Sequence, residues 1–258
     1  MAHPPITVTI LGSGTSSGIP MIACDCEICR SSNSKDKRLR SSIMVETAST
    51  RIIIDTTPDF RTQMLRENVK EIDAVVFTHS HKDHVAGLDD VRAFNYFQKK
   101  PIDIFATLAT QAALKREFSY VFSEHKYPGI PDLILNTIQE DEFTIGDISI
   151  TPISVLHLNM PVLGFRISDF VYITDANYIA TFEKEKIFGA KIILLNALRR
   201  EKHISHFTLE EACALADECS IEQAYFTHIS HQLGLHDEVN ASLPSNRQLG
   251  FDGMRIEL

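Results

Sequence analysis

The sequence predicts a layered α/β domain, and three observations predict it. Short runs rich in β-branched and aromatic residues recur along the 258 residues, several of them apolar on both faces. Helical segments lie between these runs. No internal repeat, low-complexity tract or exposed polar break divides the chain, so a single domain over residues 1–258 is expected.

In chain order the first strand is "ITVTIL" at 6–11. "SIMVET" at 42–47 and "RIIID" at 51–55 follow, then a helix over 58–67, with Thr57 as N-cap and Pro58 at the first helical position. "DAVVFT" at 73–78 precedes a helix over 84–99. "IDIFA" at 102–106 precedes a helix over 108–119. The second half holds "ISITPISVL" at 148–156, "LGFRIS" at 163–168 and "FVYIT" at 170–174, then a helix over 178–188 and "KIILL" at 191–195. A helix over 208–219 opens with Thr208 and Glu211, the spacing of a capping box. The last predicted strand is "QAYFT" at 223–227.

Hydrophobic residues make up 44% and charged residues 23%, an ordinary soluble composition, and no apolar run approaches a membrane span. The start, "MAHPPITVTILG", lacks the basic and apolar regions of a secretory signal, so the expected compartment is the cytoplasm, where thiols stay reduced. The net charge of −9 gives no support to nucleic-acid binding. The densest basic stretch, "SKDKRLRSS" at 34–42, reads as a solvated loop.

Four apolar runs end in a metal-binding type of residue. "AVVFT" runs into "HSHKDH", which gives His79, His81, Asp83 and His84. "ISVL" runs into His157, "VYIT" into Asp175 and "AYFT" into His228. Residues at the carboxyl ends of strands sit on the rim of a sheet, where α/β sites are built. His79 and His81 are two apart and share a side of extended backbone. Asp83 and His84 follow in the turn before a helix. Imidazole and carboxylate together suit zinc, manganese or iron. Three of the five cysteines crowd into "CDCEIC" as Cys24, Cys26 and Cys29. In a reducing compartment that spacing favours a metal over disulfides.

"THSHKDH" resembles the HxHxDH signature of the metallo-β-lactamase superfamily. The order Asp55, HxHxDH, His157, Asp175, His228 matches as well, over nearly the whole chain. The resemblance implies a four-layer αββα sandwich with a dinuclear metal centre at one edge. His79, His81 and His157 would hold one ion, and Asp83, His84 and His228 the other. Asp175 would bridge them, and Asp55 would orient a ligand histidine from behind. Flavodiiron relatives place a glutamate where this chain has His81, which disfavours redox chemistry and supports hydrolysis.

"LGSGTSSGIP…CDCEIC", "LNALRR…HFTLEEA" and "THISHQ" are similar to one branch, the phosphoribosyl cyclic phosphodiesterases of the PhnP type. These carry a structural zinc on three cysteines and a histidine, here Cys24, Cys26, Cys29 and His231. In that branch a histidine at the position of His206 faces substrate and helps the leaving group depart. Arg199 and Arg200 read equally as phosphate contacts and as a surface pair. Cys213 and Cys219 read as buried core thiols. His3, His125, His203 and His236 receive no role.

The expected function is therefore a metal-dependent phosphoric diester hydrolase acting on small, cyclic phosphodiesters. A hydroxide bridging two manganese or zinc ions would attack phosphorus, Asp83 would align it, and His206, as imidazolium, would assist the leaving oxygen. One structural zinc completes the cofactors. No membrane partner is expected, nucleic acid is disfavoured, and the resemblance hints at a homodimer. Three alternatives use parts of the same pattern: a tRNA 3′-processing nuclease, a glyoxalase II-type thioesterase and a non-catalytic metal-stabilised binding protein. The first usually carries a Gly-rich arm not seen between the motifs, the second does not fit the cysteine cluster, and the third does not fit a complete ligand set.

Overall fold

A computed structural model describes residues 5–124 and 127–258. His3 and His125 lie outside the described residues. The strands in chain order are β1 (Thr7–Gly12), β2 (Ser42–Glu46), β3 (Arg51–Ile54), β4 (Ala74–Val76), β5 (Ile102–Ala106), β6 (Leu133–Thr137), β7 (Phe143–Ile145), β8 (Ile148–His157), β9 (Met160–Ile167), β10 (Phe170–Ile173), β11 (Tyr178–Ile179), β12 (Ile192–Asn196), β13 (Gln223–Thr227), β14 (Arg247–Leu249) and β15 (Arg255–Glu257). One sheet has the order β15-β1-β2-β3-β4-β5-β6. The other has the order β11-β8-β9-β10-β12-β13-β14, with β7 paired to β8.

The residues within the strands explain the layering. In β3, Ile52 and Ile54 point between the sheets, while Ile53 points to the helices outside. In β10, Phe170 and Tyr172 face the same inter-sheet core, and Val171 and Ile173 face outward. Each sheet is thus buried on both faces, which is why its strands read as continuous apolar runs. Helices Phe60–Arg66 and Leu108–Glu117 cover the first sheet through Phe60, Met64 and Leu114. Helix Leu209–Glu218 covers the second through Leu209, Ala212 and Leu215. The result is the four-layer αββα sandwich in one domain. Burying one such side chain fully contributes about 1.5–3 kcal/mol, so an Ile53→Ala change costs about 2–5 kcal/mol.

The structure corrects three predicted helices. The helix expected over 58–67 starts at Phe60, with Asp59 at the cap position. Thr57 instead closes a local turn, its Oγ1 accepting from the Asp59 N–H at 3.0 Å, and Asp59 is drawn away by Arg40 at 2.9 Å. The helix expected over 84–99 is three pieces, Lys82–Val85, a 3-10 turn Leu88–Val91, and Arg92–Gln98. Gly87 sits at the break, where its N–H donates to Thr56 O and an added Cβ would lie 2.1 Å from Thr57 O. The helix expected over 178–188 begins as β11, an edge strand on β8, and keeps only Thr181–Lys184 helical. The capping box of Thr208 and Glu211 is present. Cys219 is buried, whereas Cys213 is only partly buried at the edge of the core.

Register places the chemistry. β3, β4 and β5 run parallel, as do β10, β12, β13 and β14. Their carboxyl ends meet along one edge of the sandwich. There the Leu163 N–H of the second sheet donates to Thr78 O of the first.

Candidate metal centre

Asp175 follows the end of β10 and is the hub. Its Oδ1 lies 3.0 Å from His228 Nδ1 and 3.3 Å from His84 Nε2. Its Oδ2 lies 3.8 Å from His79 Nε2 and 3.4 Å from His206 Nε2. Both carboxylate oxygens therefore face histidine nitrogens. Thr174 Oγ1 donates to Oδ1 at 2.6 Å. The turn is held from behind by Asn196, whose side-chain amide bonds both the N–H and the C=O of Ala176.

Asp55, just past β3, fixes two histidines at once. Its Oδ2 accepts from His84 Nδ1–H at 2.7 Å and from Thr78 Oγ1–H at 2.7 Å. The Thr78 proton is thereby committed, so Thr78 Oγ1 accepts from His79 Nδ1–H at 2.9 Å. Both rings are held with Nδ1 protonated and Nε2 aimed at Asp175. His157 Nδ1–H donates to Ser205 O at 2.9 Å, which frees its Nε2 in the same way.

Asp83, His84, Asp175 and His228 each offer a ligand atom within 4.8 Å of the others, and so do His79, His81 and Asp175. His157 does not join the latter set at that distance. It groups with Asp175 and His206 instead, its ring centroid 5.2 Å from that of His81. His206, placed on the substrate side by the resemblance, stacks its ring on His228 at 4.9 Å and brings its Nε2 to 3.4 Å from Asp175 Oδ2.

The residues fit divalent cations. The Nε2 atoms of His79, His84 and His206 are buried and lack a hydrogen-bond partner. Orphaned buried nitrogens around one carboxylate are what an absent ion leaves behind. The charges agree. Burial pushes the carboxyls of Asp83 and Asp175 up, but the neighbouring imidazoles, His84 foremost at Asp83 and His228 at Asp175, outweigh it and hold both well below the usual range. Burial pushes His84 down, yet Asp175 and Asp55 outweigh it and hold its ring well above the ordinary value. Burial and then His84 hold His79 well below the ordinary value, while burial brings His206 to about 4 against its contact with Asp175.

A second donor set lies next to the first along the chain. His231 Nδ1 is 3.3 Å from the sulfurs of Cys24 and Cys26 and 3.7 Å from that of Cys29. Burial raises the Cys29 thiol to about 11, while the Cys29 N–H and then His231 lower Cys26 to about 6. Three thiols and one imidazole suit a closed tetrahedral zinc site. The loop is tied down by Thr15 N–H to Ile229 O and Ile229 N–H to Ser13 O, and Thr15 Oγ1 lies 3.1 Å from His228 Nε2. An added Cβ on Gly12 would lie 1.9 Å from Arg40 O, so this tight path requires glycine.

Arg199 and Arg200 do not enter the centre. Arg199 bonds Gln232 Oε1 at 2.7 Å and two backbone carbonyls, and Arg200 reaches Ser242. His203 and His236 acquire partners. His203 Nδ1 meets His206 Nδ1 at 3.2 Å, and His236 Nδ1 accepts from Arg38 at 3.0 Å. Sequence reasoning passed over Thr15, Thr78, Thr174 and Asn196. Asn196 carried a signal, since it is a polar residue ending the apolar run "KIILL" in the same way as Asp175 and His228 do theirs.

Residues 50–229 match the Beta-lactamase superfamily domain. A solved diphosphatase from the PhnP family is 38% identical, with a TM-score of 0.92 over 98% of this chain and 97% of that one. The chain belongs to the beta-lactamase superfamily, in its PhnP-like branch. It has the metallo-β-lactamase fold, and the fold implies divalent metal. The Zn2+-bound PqqB of Methylobacterium extorquens shares that fold at 21% identity, with a TM-score of 0.79 over 98% of this chain and 100% of that one. An octanoyltransferase of Porphyromonas gingivalis is 36% identical over 248 residues, which cover 95% of this chain and 50% of that protein. This superfamily member thus spans about half the length of that relative. Among the described residues no helix is long and apolar enough to cross a membrane.

Proposed function

We propose that this chain hydrolyses small phosphodiesters. One observation carries the reading. A carboxylate ringed by histidine nitrogens, three of them buried and unpartnered, adjoins an open cavity of about 460 Å3 that includes His81 and His157.

His79, His81 and His157 would hold one ion, Asp83, His84 and His228 a second, and Asp175 both, with manganese or zinc suiting this donor set. When bound, the ions supply Lewis acidity toward phosphoryl oxygens and a water whose pKa falls to about 7. The chain's own residues do the rest. Asp55 orients His84 directly and His79 through Thr78. Asp83, held anionic, accepts a hydrogen bond from the attacking water and keeps it in line with phosphorus. His206 serves the leaving oxygen. Burial lowers its ring to about 4, so an imidazolium form would need the negative charge that a phosphodiester brings. Cys24, Cys26, Cys29 and His231 would hold a structural zinc that pins the loop touching His228. We place the protein in the cytoplasm, where the three thiols of such a zinc site stay reduced.

A diphosphate linkage is a second reading, favoured by the 38% identity to the PhnP-family diphosphatase. A net charge of −9 and a cavity lining without lysine or arginine speak against long nucleic acid. The acyl transfer named for the Porphyromonas gingivalis relative we assign to the half of that protein this chain does not match. The test is turnover of bis(p-nitrophenyl) phosphate by chelator-stripped protein reloaded with manganese or zinc, beside a nucleoside diphosphate. Turnover of the diester is expected with reloading only. Inactivity on the diester with both metals overturns the reading, and turnover of the diphosphate alone replaces it with the second.

A further inference from the structure

The β8–β9 hairpin turns on two residues, Leu158 and Asn159, at the mouth of the cavity beside His157. Leu158 has φ 58°. Two-residue hairpins put glycine, asparagine or aspartate at a left-handed position, because a branched side chain there collides with the backbone. Leu158 is also 49% exposed, so burial does not repay the strain. The turn is held in place by the segment after Asp175, with Leu158 N–H donating to Asn177 Oδ1 at 2.7 Å and Asn177 N–H to Leu156 O at 2.9 Å. Strain of this sort persists where neighbours over-determine it, and it clusters at sites that grip ligands.

The same cavity is lined by Ile204, 73% exposed, on the loop that carries Ser205 and His206. The lining is completed by His81 and His157 on the catalytic side, by Met160 and by Asn159, an exposed amide. Two exposed aliphatic side chains and one amide surround a space that contains no full charge beyond the histidines.

Resting on the phosphodiesterase reading, we infer that Leu158 and Ile204 form a specificity clamp for a flat, uncharged heteroaromatic group, a nucleobase, carried by the phosphodiester. The aliphatic lips would cover the two faces of the ring, and Asn159 would bond its polar edge. A ring with heteroatoms uses all three contacts, whereas a saturated chain leaves Asn159 idle and a charged group would be desolvated against leucine and isoleucine.

The experiment compares two esters with one leaving group, thymidine 5′-(p-nitrophenyl phosphate) and methyl p-nitrophenyl phosphate, on metal-loaded protein. Wild type should prefer the nucleoside ester in kcat/KM. Leu158→Asn should cut that preference about tenfold, mostly through KM, the scale of a single apolar pocket contact. The same variant should raise the thermal midpoint by about 2–4 °C, because asparagine tolerates φ > 0. Ile204→Ser should cut the preference without that rise. An unchanged preference in both variants overturns the clamp, and a lowered midpoint in Leu158→Asn overturns the strain on which it rests. If wild type turns over neither ester, the phosphodiesterase reading falls. The clamp then stands or falls on calorimetry, where thymidine 5′-phosphate binding no tighter than methyl phosphate overturns it.

Discussion

Replacing Asp55 by asparagine tests the site from behind. Asp55 touches no ion in the proposed arrangement, keeps its shape in the variant and is completely buried. Its Oδ1 can still accept from the Thr78 N–H, a 2.9 Å bond. The other terminus, now an amide NH2, faces His84 Nδ1 and Thr78 Oγ1, both 2.7 Å away. Two donors cannot share that space. His84 must move its proton to Nε2, where it points at Asp175 Oδ1 and Asp83 Oδ2, each 3.3 Å distant. The lone pair that would bind metal is then consumed. Thr78 turns as well, and the bond that fixes His79 at 2.9 Å is lost. Loss of one such orienting partner costs about 10–100-fold in metal affinity. Two histidines depend on Asp55, so the upper end applies, about 100-fold or about 2.7 kcal/mol. Competition titration against a chelator, with bound metal counted by elemental analysis and folding checked by circular dichroism, reads this directly. Asp55→Asn protein that is folded and binds both active-site ions within about threefold of wild type would refute the orienting role, because about 100-fold is expected.

Four further outcomes are expected. Cys26→Ser should carry one fewer zinc per chain and melt several degrees lower, where about 1 kcal/mol moves the midpoint by about 2–4 °C; unchanged metal content removes the structural zinc. Asp175→Ala should lose nearly all turnover of bis(p-nitrophenyl) phosphate and bind fewer ions, while full activity would dismiss the hub. His206→Ala should keep its metal content and lose about 10²–10⁴-fold on an alkyl diester, with a smaller loss on an aryl diester; loss of an ion would make His206 a ligand. Burial and then the Arg38 guanidinium lower His236 to about 4. Its contribution to stability is present above the ordinary value of about 6.5 and is lost as pH falls toward 4. His236→Gln should therefore flatten the fall of the urea midpoint between pH 7 and 5, and a slope equal to wild type would contradict that burial.

The parts of the fold legible in the sequence are those buried on two faces. Ile52, Ile53 and Ile54 form an unbroken apolar run because alternate residues enter different cores. The short edge strands give no such pattern. β14 and β15 span three residues each, and in β15 only Ile256 is buried. β6 is half-exposed along its length, so "LILNT" carries no strict alternation. Helix ends failed where tertiary contacts override local preference. Gly87 breaks a helical pattern because its backbone must approach the Thr56–Thr57 segment, and nothing nearby in sequence records that approach.

The site was legible in residue type and order but not in backbone. Asp55, Asp175 and His228, which end β3, β10 and β13, all take positive φ, at 69°, 51° and 55°. A β-strand aims successive side chains across the sheet, so a carboxylate in regular extended backbone would point into a core or a helix layer. A left-handed residue at the strand end turns the chain and aims the side chain along the rim. That conformation costs about 1–2 kcal/mol for most side chains; Asp and His enter it more readily than most, but their identity does not tell which of them does. The bonds that hold it come from elsewhere: Asn196 on the Ala176 backbone, Ser13 O on the Ile229 N–H, Val76 O on the Asp55 N–H. Each joins strands or loops distant in sequence. The directions of the side chains around the hub are thus set by the fold itself. Asp175 meets four histidine nitrogens in a protein whose fold has already set their directions, which is what a preorganised electrostatic site requires.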